Sequence, residues 1–226
     1  MRIVRDLFGA KASRVIRCLL TDVGREWTVR ELATAAGVAV GYCHAVLTTL
    51  DQMGFILRNE RYKLVAKDPK RLLRRWAAYR LYDRENTFLD YYTFEREIDV
   101  VIRHVARSLQ NEHYALTTLA GAWLIAPQVR PVDIHLYVES RAAAKALAEK
   151  LAVRATAGTG NIRLVVPNDV GVFYGAHSVG EVKVVSLAQL FVDLFNYPAR
   201  GEEAAAALLQ HIEKEWAALL VTPRRV

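Results

Sequence analysis

Apolar residues at helical spacing open the chain. Val15, Ile16, Cys18, Leu19 and Leu20 form a stripe on a segment otherwise lined by Lys11, Arg14 and Arg17, which predicts a first helix. Gly24 interrupts it. Thr28 then offers a side-chain oxygen to cap a second helix, and Glu31, three residues on, completes a capping box. Gly37 stops that helix near residue 36, and Val38 pins the turn. A third helix over about 41–53 buries Cys43, Val46, Leu47 and Leu50 and leaves Tyr42, His44, Ala45, Thr48 and Thr49 on its other face. Beyond Gly54, short apolar runs at 55–58 and 61–65 flank the polar pair Asn59-Glu60, the pattern of a β-hairpin. Asp68-Pro69 starts a further helix with Leu72, Leu73, Trp76 and Tyr79 at helical spacing, its remaining positions lined by Lys70, Arg71, Arg74, Arg75 and Arg80.

After the polar stretch Asp83-Arg84-Glu85-Asn86 the segments alternate. The pattern predicts a helix over 95–109, an apolar Tyr114-Ala115-Leu116, a helix over 119–125, a strand over 132–138 and an alanine-rich helix over 141–151. Strands at 162–166 and 182–185 and two closing helices complete it. The fold class is therefore α+β: a three-helix unit with a hairpin at 1–66, a basic linker helix at 67–90, and an α/β domain at 91–226. With 226 residues, 53% hydrophobic and 24% charged, the chain has room for two globular cores. No apolar run approaches the roughly 20 residues of a membrane span. The charged start, without an apolar core or small-residue cleavage site, points to the cytoplasm. Cys18 and Cys43 lack metal-ligand spacing and fall on apolar helical faces, which predicts two buried thiols.

Charge is distributed unevenly. Through Arg80 there are 16 lysines and arginines against 7 acidic residues; the remainder has 15 against 17. The first third is thus the part that attracts anions. A third helix of this kind can enter a DNA major groove. Tyr42, His44 and Thr48 can exchange hydrogen bonds with base edges, Ala45 and the threonine methyls can touch thymine methyls, and Gly41 lets the backbone approach phosphate. Arg58, Arg61 and Lys63 on the hairpin, with Lys11, Arg14 and Arg30 around the helices, suit phosphate contacts. The competing reading of the same pattern is a protein-docking module whose charges form a solvated face.

The stretch ELATAAGVAVGYCHAVLTTLDQMGFI, residues 31–56, resembles winged helix-turn-helix regulators. It departs from them at Ala39, where a capping serine is usual, and at Ala45, where a basic residue is common; a homodimer would compensate for weak binding per monomer. VVSLAQLFVDLFNYPARGEEAAAALLQ (184–210), taken with YALTTLAGAWLIAP (114–127) and VDIHLYV (132–138), resembles the C-terminal domain of AbiEi-type antitoxins of type IV toxin-antitoxin systems. That resemblance implies an autorepressor on an inverted-repeat promoter site of double-stranded DNA, opposing a nucleotidyltransferase-type toxin.

The second domain is also distantly similar to the nucleotidyltransferase fold, in which two carboxylates on one strand face hold divalent metal. Here Asp133 keeps one position and His135 occupies the other, a poor pair for a hard cation. Asp169, the other acid that could serve, sits in a Pro-Asn-Asp turn. No metal, cofactor or catalytic residue is expected, although a nucleotidyltransferase-fold enzyme with a DNA-binding appendage and a protein-interaction adaptor stay open. Gly158 to Gly160 reads as a turn, and His104, His113, His177 and His211 have no ligand spacing. Phe88, Tyr91, Tyr92 and Phe94 read as a packing seam. Asp193 and Arg200 read as capping or pairing residues of the last helices, with a partner contact as the alternative.

Overall fold

The computed structural model describes residues 6–59, 63–158 and 160–221. Helices α1 (Ala10–Thr21), α2 (Val29–Ala35) and α3 (Val40–Gln52) come first, followed by a hairpin of β1 (Ile56–Arg58) and β2 (Leu64–Ala66). Thr28 and Glu31 form the expected reciprocal cap: the Glu31 N–H donates to the threonine hydroxyl at 3.2 Å, and the Thr28 N–H donates to the glutamate at 2.7 Å. Two donors that the helix start would leave bare are thereby satisfied. Between α2 and α3 the chain turns at Gly37, whose φ of +60° costs a glycine little. In the hairpin Leu57 lies opposite Val65. The fully buried Trp27 joins it as a one-residue third strand, exchanging backbone hydrogen bonds of 2.9 and 2.8 Å with Leu64. The second hairpin strand starts at Leu64, and residues 60–62 lie outside the described residues.

Helix α4 (Pro69–Tyr79) begins where Asp68-Pro69 predicts it, with the Asp68 carboxylate accepting from the Arg71 N–H at 2.9 Å. A single turn, α5 (Tyr82–Glu85), leads into β3 (Thr87–Tyr92). The remaining elements are α6 (Ile98–Ser108), β4 (Tyr114–Thr117), α7 (Thr118–Ile125), β5 (Ile134–Val138), α8 (Arg141–Lys150), β6 (Arg154–Ala155), β7 (Ile162–Val166), β8 (His177–Val179), β9 (Val182–Val184), α9 (Leu187–Phe195) and α10 (Gly201–Val221). Among the described residues the strands from β3 onward make one seven-stranded mixed sheet in the order β6-β3-β7-β5-β4-β9-β8. The β5–β7 and β4–β9 pairs are parallel and the others antiparallel. β5 is buried at all five positions, as a central strand covered on both faces must be.

The strand β3 is the main departure from the expected pattern. Its residues were expected to end a linker helix and to supply an aromatic seam, but Thr87, Phe88, Tyr91 and Tyr92 are good strand formers and pair with β7 over five positions.

The helical end and the sheet share a continuous core that runs without a break from Leu7 to Trp216. Helix α4 turns Leu72, Leu73, Trp76 and Ala77 inward, burial that stabilises by roughly 1.5–3 kcal/mol per large side chain. Its partner is α9. Asn196, just past α9, donates to the carbonyls of Ala77 at 3.0 Å and Arg80 at 2.8 Å, satisfying the open end of α4. Helix α1 is likewise covered from the sheet side: Arg17, read as part of a polar face, is fully buried and its Nε donates to Gln189 of α9 at 2.8 Å.

Candidate nucleic-acid interface

Helix α3 stands with one face in the core and the other in solvent. Cys43, Val46, Leu47 and Leu50 are fully buried, as is Cys18 on α1. Burial pushes the Cys18 thiol up to about 12 and the Cys43 thiol up to about 11, so neither forms a reactive thiolate near neutral pH. Gly41 and His44 are exposed, and Tyr42, Ala45 and Thr48 are half-buried beside them. These five positions lie on one continuous surface because residues three and four apart share a helix face. The Thr48 hydroxyl donates to the His44 carbonyl at 2.9 Å. Its proton is committed to the helix, leaving an acceptor and a methyl for anything that approaches. A Cβ on Gly41 would meet nothing within 4 Å. Ala39 starts the helix without a side-chain cap.

The cations around this face differ in how far they are already engaged. The Lys11 Nζ sits 5.1 Å from the Tyr42 ring centroid, at the start of α3. Lys11 and Arg30 are exposed and have no acidic partner among the described residues. Arg14 is held by Asp169, from the loop after β7, through contacts of 2.7 Å from both Nε and Nη2. Its hydrogen bonds to Asp169 raise its pKa, and its Nη1 also reaches the Gly37 carbonyl at 3.4 Å. Much of its charge is therefore neutralised in place. On the hairpin, Arg58 lies 3.6 Å from Asp51 and Lys63 lies 3.9 Å from Glu26, both pairs largely in solvent, where such pairs are weak and exchange readily for a stronger anion. Arg61 lies outside the described residues. Arg71, which the sequence reading set on the basic helix whose role was open between DNA contact and a tether, packs its guanidinium over the Phe55 ring at 5.0 Å just beyond α3.

A second polar cluster lies inside the sheet. His135 is fully buried; its Nδ1 is 2.9 Å from the Tyr82 hydroxyl, and its Nε2 is 3.3 Å from Asp133 and 3.5 Å from the Tyr197 hydroxyl. Aromatic rings fill the space around it, with Tyr82 stacked on the imidazole at 5.8 Å. Next to it, Asp193 accepts from Thr117 at 2.6 Å and from Gln189 at 2.7 Å. Asp193 is 4% exposed and so faces the core; Arg200, in the turn before α10, pairs with Glu203 in the first turn of that helix. Among the described residues no group of three or more His, Cys, Asp or Glu could hold a metal ion, and no single helix is long and apolar enough to cross a membrane.

A family model described as "transcriptional regulator, AbiEi antitoxin, type IV TA system" matches residues 63–214, from the edge of β2 into α10. No curated protein matches the chain, and no solved structure does. The match takes in α4 and the whole seven-stranded sheet and spans well over half the chain, which therefore belongs to the AbiEi antitoxin family, the transcriptional regulators of type IV toxin-antitoxin systems.

Proposed function

We propose that α1 to α3 and the β1–β2 hairpin form a winged helix-turn-helix that lays α3 in the DNA major groove. In this reading the chain represses its own promoter as a homodimer on an inverted repeat. The observation that carries it is the solvent face of α3, where Gly41, Tyr42, His44, Ala45 and Thr48 stand together above a fully buried opposite side. The major groove admits one helix and displays a distinct pattern for each base pair. His44 and Tyr42 read base edges, Thr48 meets them as an acceptor or through its methyl, and Ala45 packs on a thymine methyl. Lys11, Arg30, Arg58, Arg61 and Lys63 contact phosphate, with Arg14 contributing less because Asp169 already holds it. Two half-sites one helical turn apart compensate for the uncapped start of α3 and the absence of a basic residue at Ala45.

The sheet unit serves the antitoxin role in the cytoplasm, against a toxin of the nucleotidyltransferase type. Its β4–α7–β5 segment, with β7 parallel to β5, supports a nucleotidyltransferase-like ancestry. His135 at the second carboxylate position, enclosed by Tyr82 and Tyr197, favours a non-catalytic unit that holds a partner.

A salt series on a promoter-fragment shift tests the DNA reading: affinity falls steeply with salt if several phosphates are engaged, and a flat response would point to a protein-docking module instead. His44→Ala is expected to cost roughly 1–3 kcal/mol on the promoter site and little on random DNA. Equal losses on both duplexes would remove His44 from base reading. Gly41→Ala separates folding from contact. It replaces a helical glycine by alanine in open space, so thermal unfolding should show a gain of about 0.5–1 kcal/mol, while the added methyl lowers affinity for DNA. Unchanged affinity in that variant would place the backbone at Gly41 away from the duplex.

A further inference from the structure

The face of α4 turned away from α9 carries Arg71, Arg74 and Arg75, and Lys67 precedes the helix; all four are exposed and none pairs with an acid among the described residues. Lys70, by contrast, is paired with Glu213, and the carboxylate of Asp68 is spent capping the helix. The three arginines follow i, i+3, i+4 spacing and so form one patch. Together with Lys70, Asp68 and Ala78 they line a shallow depression of about 430 Å³.

Contacts at its start place this row beside the end of α3. At the start of α4, Arg71 packs over Phe55, immediately after α3, and Phe55 O accepts from the Lys67 N–H at 2.9 Å. At its end, Tyr79 meets Phe8, just before α1, with the two rings tilted and their centroids 5.8 Å apart. From residue 71 to 75 the row is about 6 Å long at the helical rise of 1.5 Å per residue.

From this geometry we propose that the exposed arginine row of α4 is a second phosphate-binding rail for the same DNA duplex that α3 reads, an inference that rests on the reading of α3 given above. Guanidinium groups match phosphate oxygens in pairs. The rail comes pre-ordered, because Leu72, Leu73 and Trp76 fix the opposite face of α4 and Asn196 ties its end, so little ordering has to accompany binding. It adds affinity without reading sequence.

Three full-length proteins test it: the wild type, Arg74→Gln with Arg75→Gln, and the triple variant that adds Arg71→Gln. Glutamine keeps the helix propensity, and Arg74 and Arg75 form no ion pair among the described residues, so a fold lost through the Arg71–Phe55 contact would be exposed by comparison. Anisotropy titrations between about 50 and 200 mM salt, on a duplex from the chain's own promoter region and on a random duplex of equal length, give the slope of log affinity against log salt. The expected result is a slope shallower by about 0.9 for each phosphate contact removed, hence about 2 to 3 for the triple variant. Both duplexes should be weakened by a similar factor. Wild-type slope and affinity in the triple variant, with His44→Ala still weakening only the promoter duplex, would make the row a solvated face and leave the reading of α3 intact. A loss confined to the promoter duplex would overturn the rail as well, since it would mean sequence reading. Wild-type protein that binds neither duplex would sink the reading of α3 and the rail with it.

Discussion

Asp193→Asn is expected to stabilise the protein by about 2 kcal/mol at pH 8 and to leave it unchanged near pH 4. Burial raises the Asp193 carboxyl to about 6, with hydrogen bonds from Thr117 and Gln189 and the charge of Arg80 opposing that shift. A carboxyl whose folded pKa lies above its unfolded value near 3.8 favours the folded state only while it is protonated. Its contribution is complete below pH 3.8, is lost as pH rises to about 6, and stays lost above that. At 1.36 kcal/mol per pKa unit, the wild type forgoes about 3 kcal/mol at neutral pH. Asparagine mimics the protonated form, accepting from Gln189 and donating to a rotated Thr117 hydroxyl, with some loss in geometry. Urea unfolding of both proteins at pH 4, 6 and 8 isolates this residue, because every other titration is shared. A variant less stable than wild type at pH 8 would show that the ionised form is the one the core is built around.

Arg17 presents the complementary case. Its side chain is fully buried, its Nε bonded to Gln189 and its guanidinium 5.2 Å from the Trp76 ring centroid, while Nη1 and Nη2 find no hydrogen-bond partner among the described residues. Burial lowers its pKa to about 10, against the charges of Asp169 and Asp193, and it stays ionised at neutral pH. Arg17→Ala is expected to cost about 3 kcal/mol, because it opens a cavity beside Trp76 and orphans the Gln189 oxygen. For a chain of this size that is a fall of roughly 6–12 °C in Tm. Arg17→Met fills most of the volume and removes the buried charge, and should cost under about 1.5 kcal/mol. Equal destabilisation by both variants in denaturant titrations would mean that the cation itself, rather than the bulk of its stem, holds the junction.

The contrast between these two residues and α3 shows what periodicity could and could not reveal. Helix α3 was legible because one stripe, Cys43, Val46, Leu47 and Leu50, is buried against α1, α2 and β1, and the face opposite it is left to solvent, although Thr49, expected on that open face, is buried at its edge. Helix α1 is covered on two sides, so Arg17 sits in a position that a helical wheel assigns to water, and nothing in its local sequence announces α9 on the other side. The capping box at Thr28 and the Asp68-Pro69 start were readable because their chemistry is local. Strand β3 was hidden because Phe88, Leu89, Tyr91 and Tyr92 give no clean alternation beside the charged Asp83 to Glu85 stretch. Asp90 within it is explained only by Arg163 across the strand pair, at 2.6 Å. Among the phosphate-facing candidates, Arg14 looked as free as Lys11; its partner Asp169 is 155 residues away in the chain. Long-range pairing of this kind leaves no trace in spacing.

The unbroken core from Leu7 to Trp216 has a consequence for how the two ends behave. Severed after residue 66, the helical end would turn Arg17, Leu20 and Thr21 outward, where α9 and α10 now cover them. The helical end is therefore no interchangeable cassette: grafted onto a foreign chassis without the sheet, it would lose part of its own core. By the same token, a partner bound to the sheet protects the helical end against unfolding and, under the proposed function, a duplex bound at α3 shields the sheet in return.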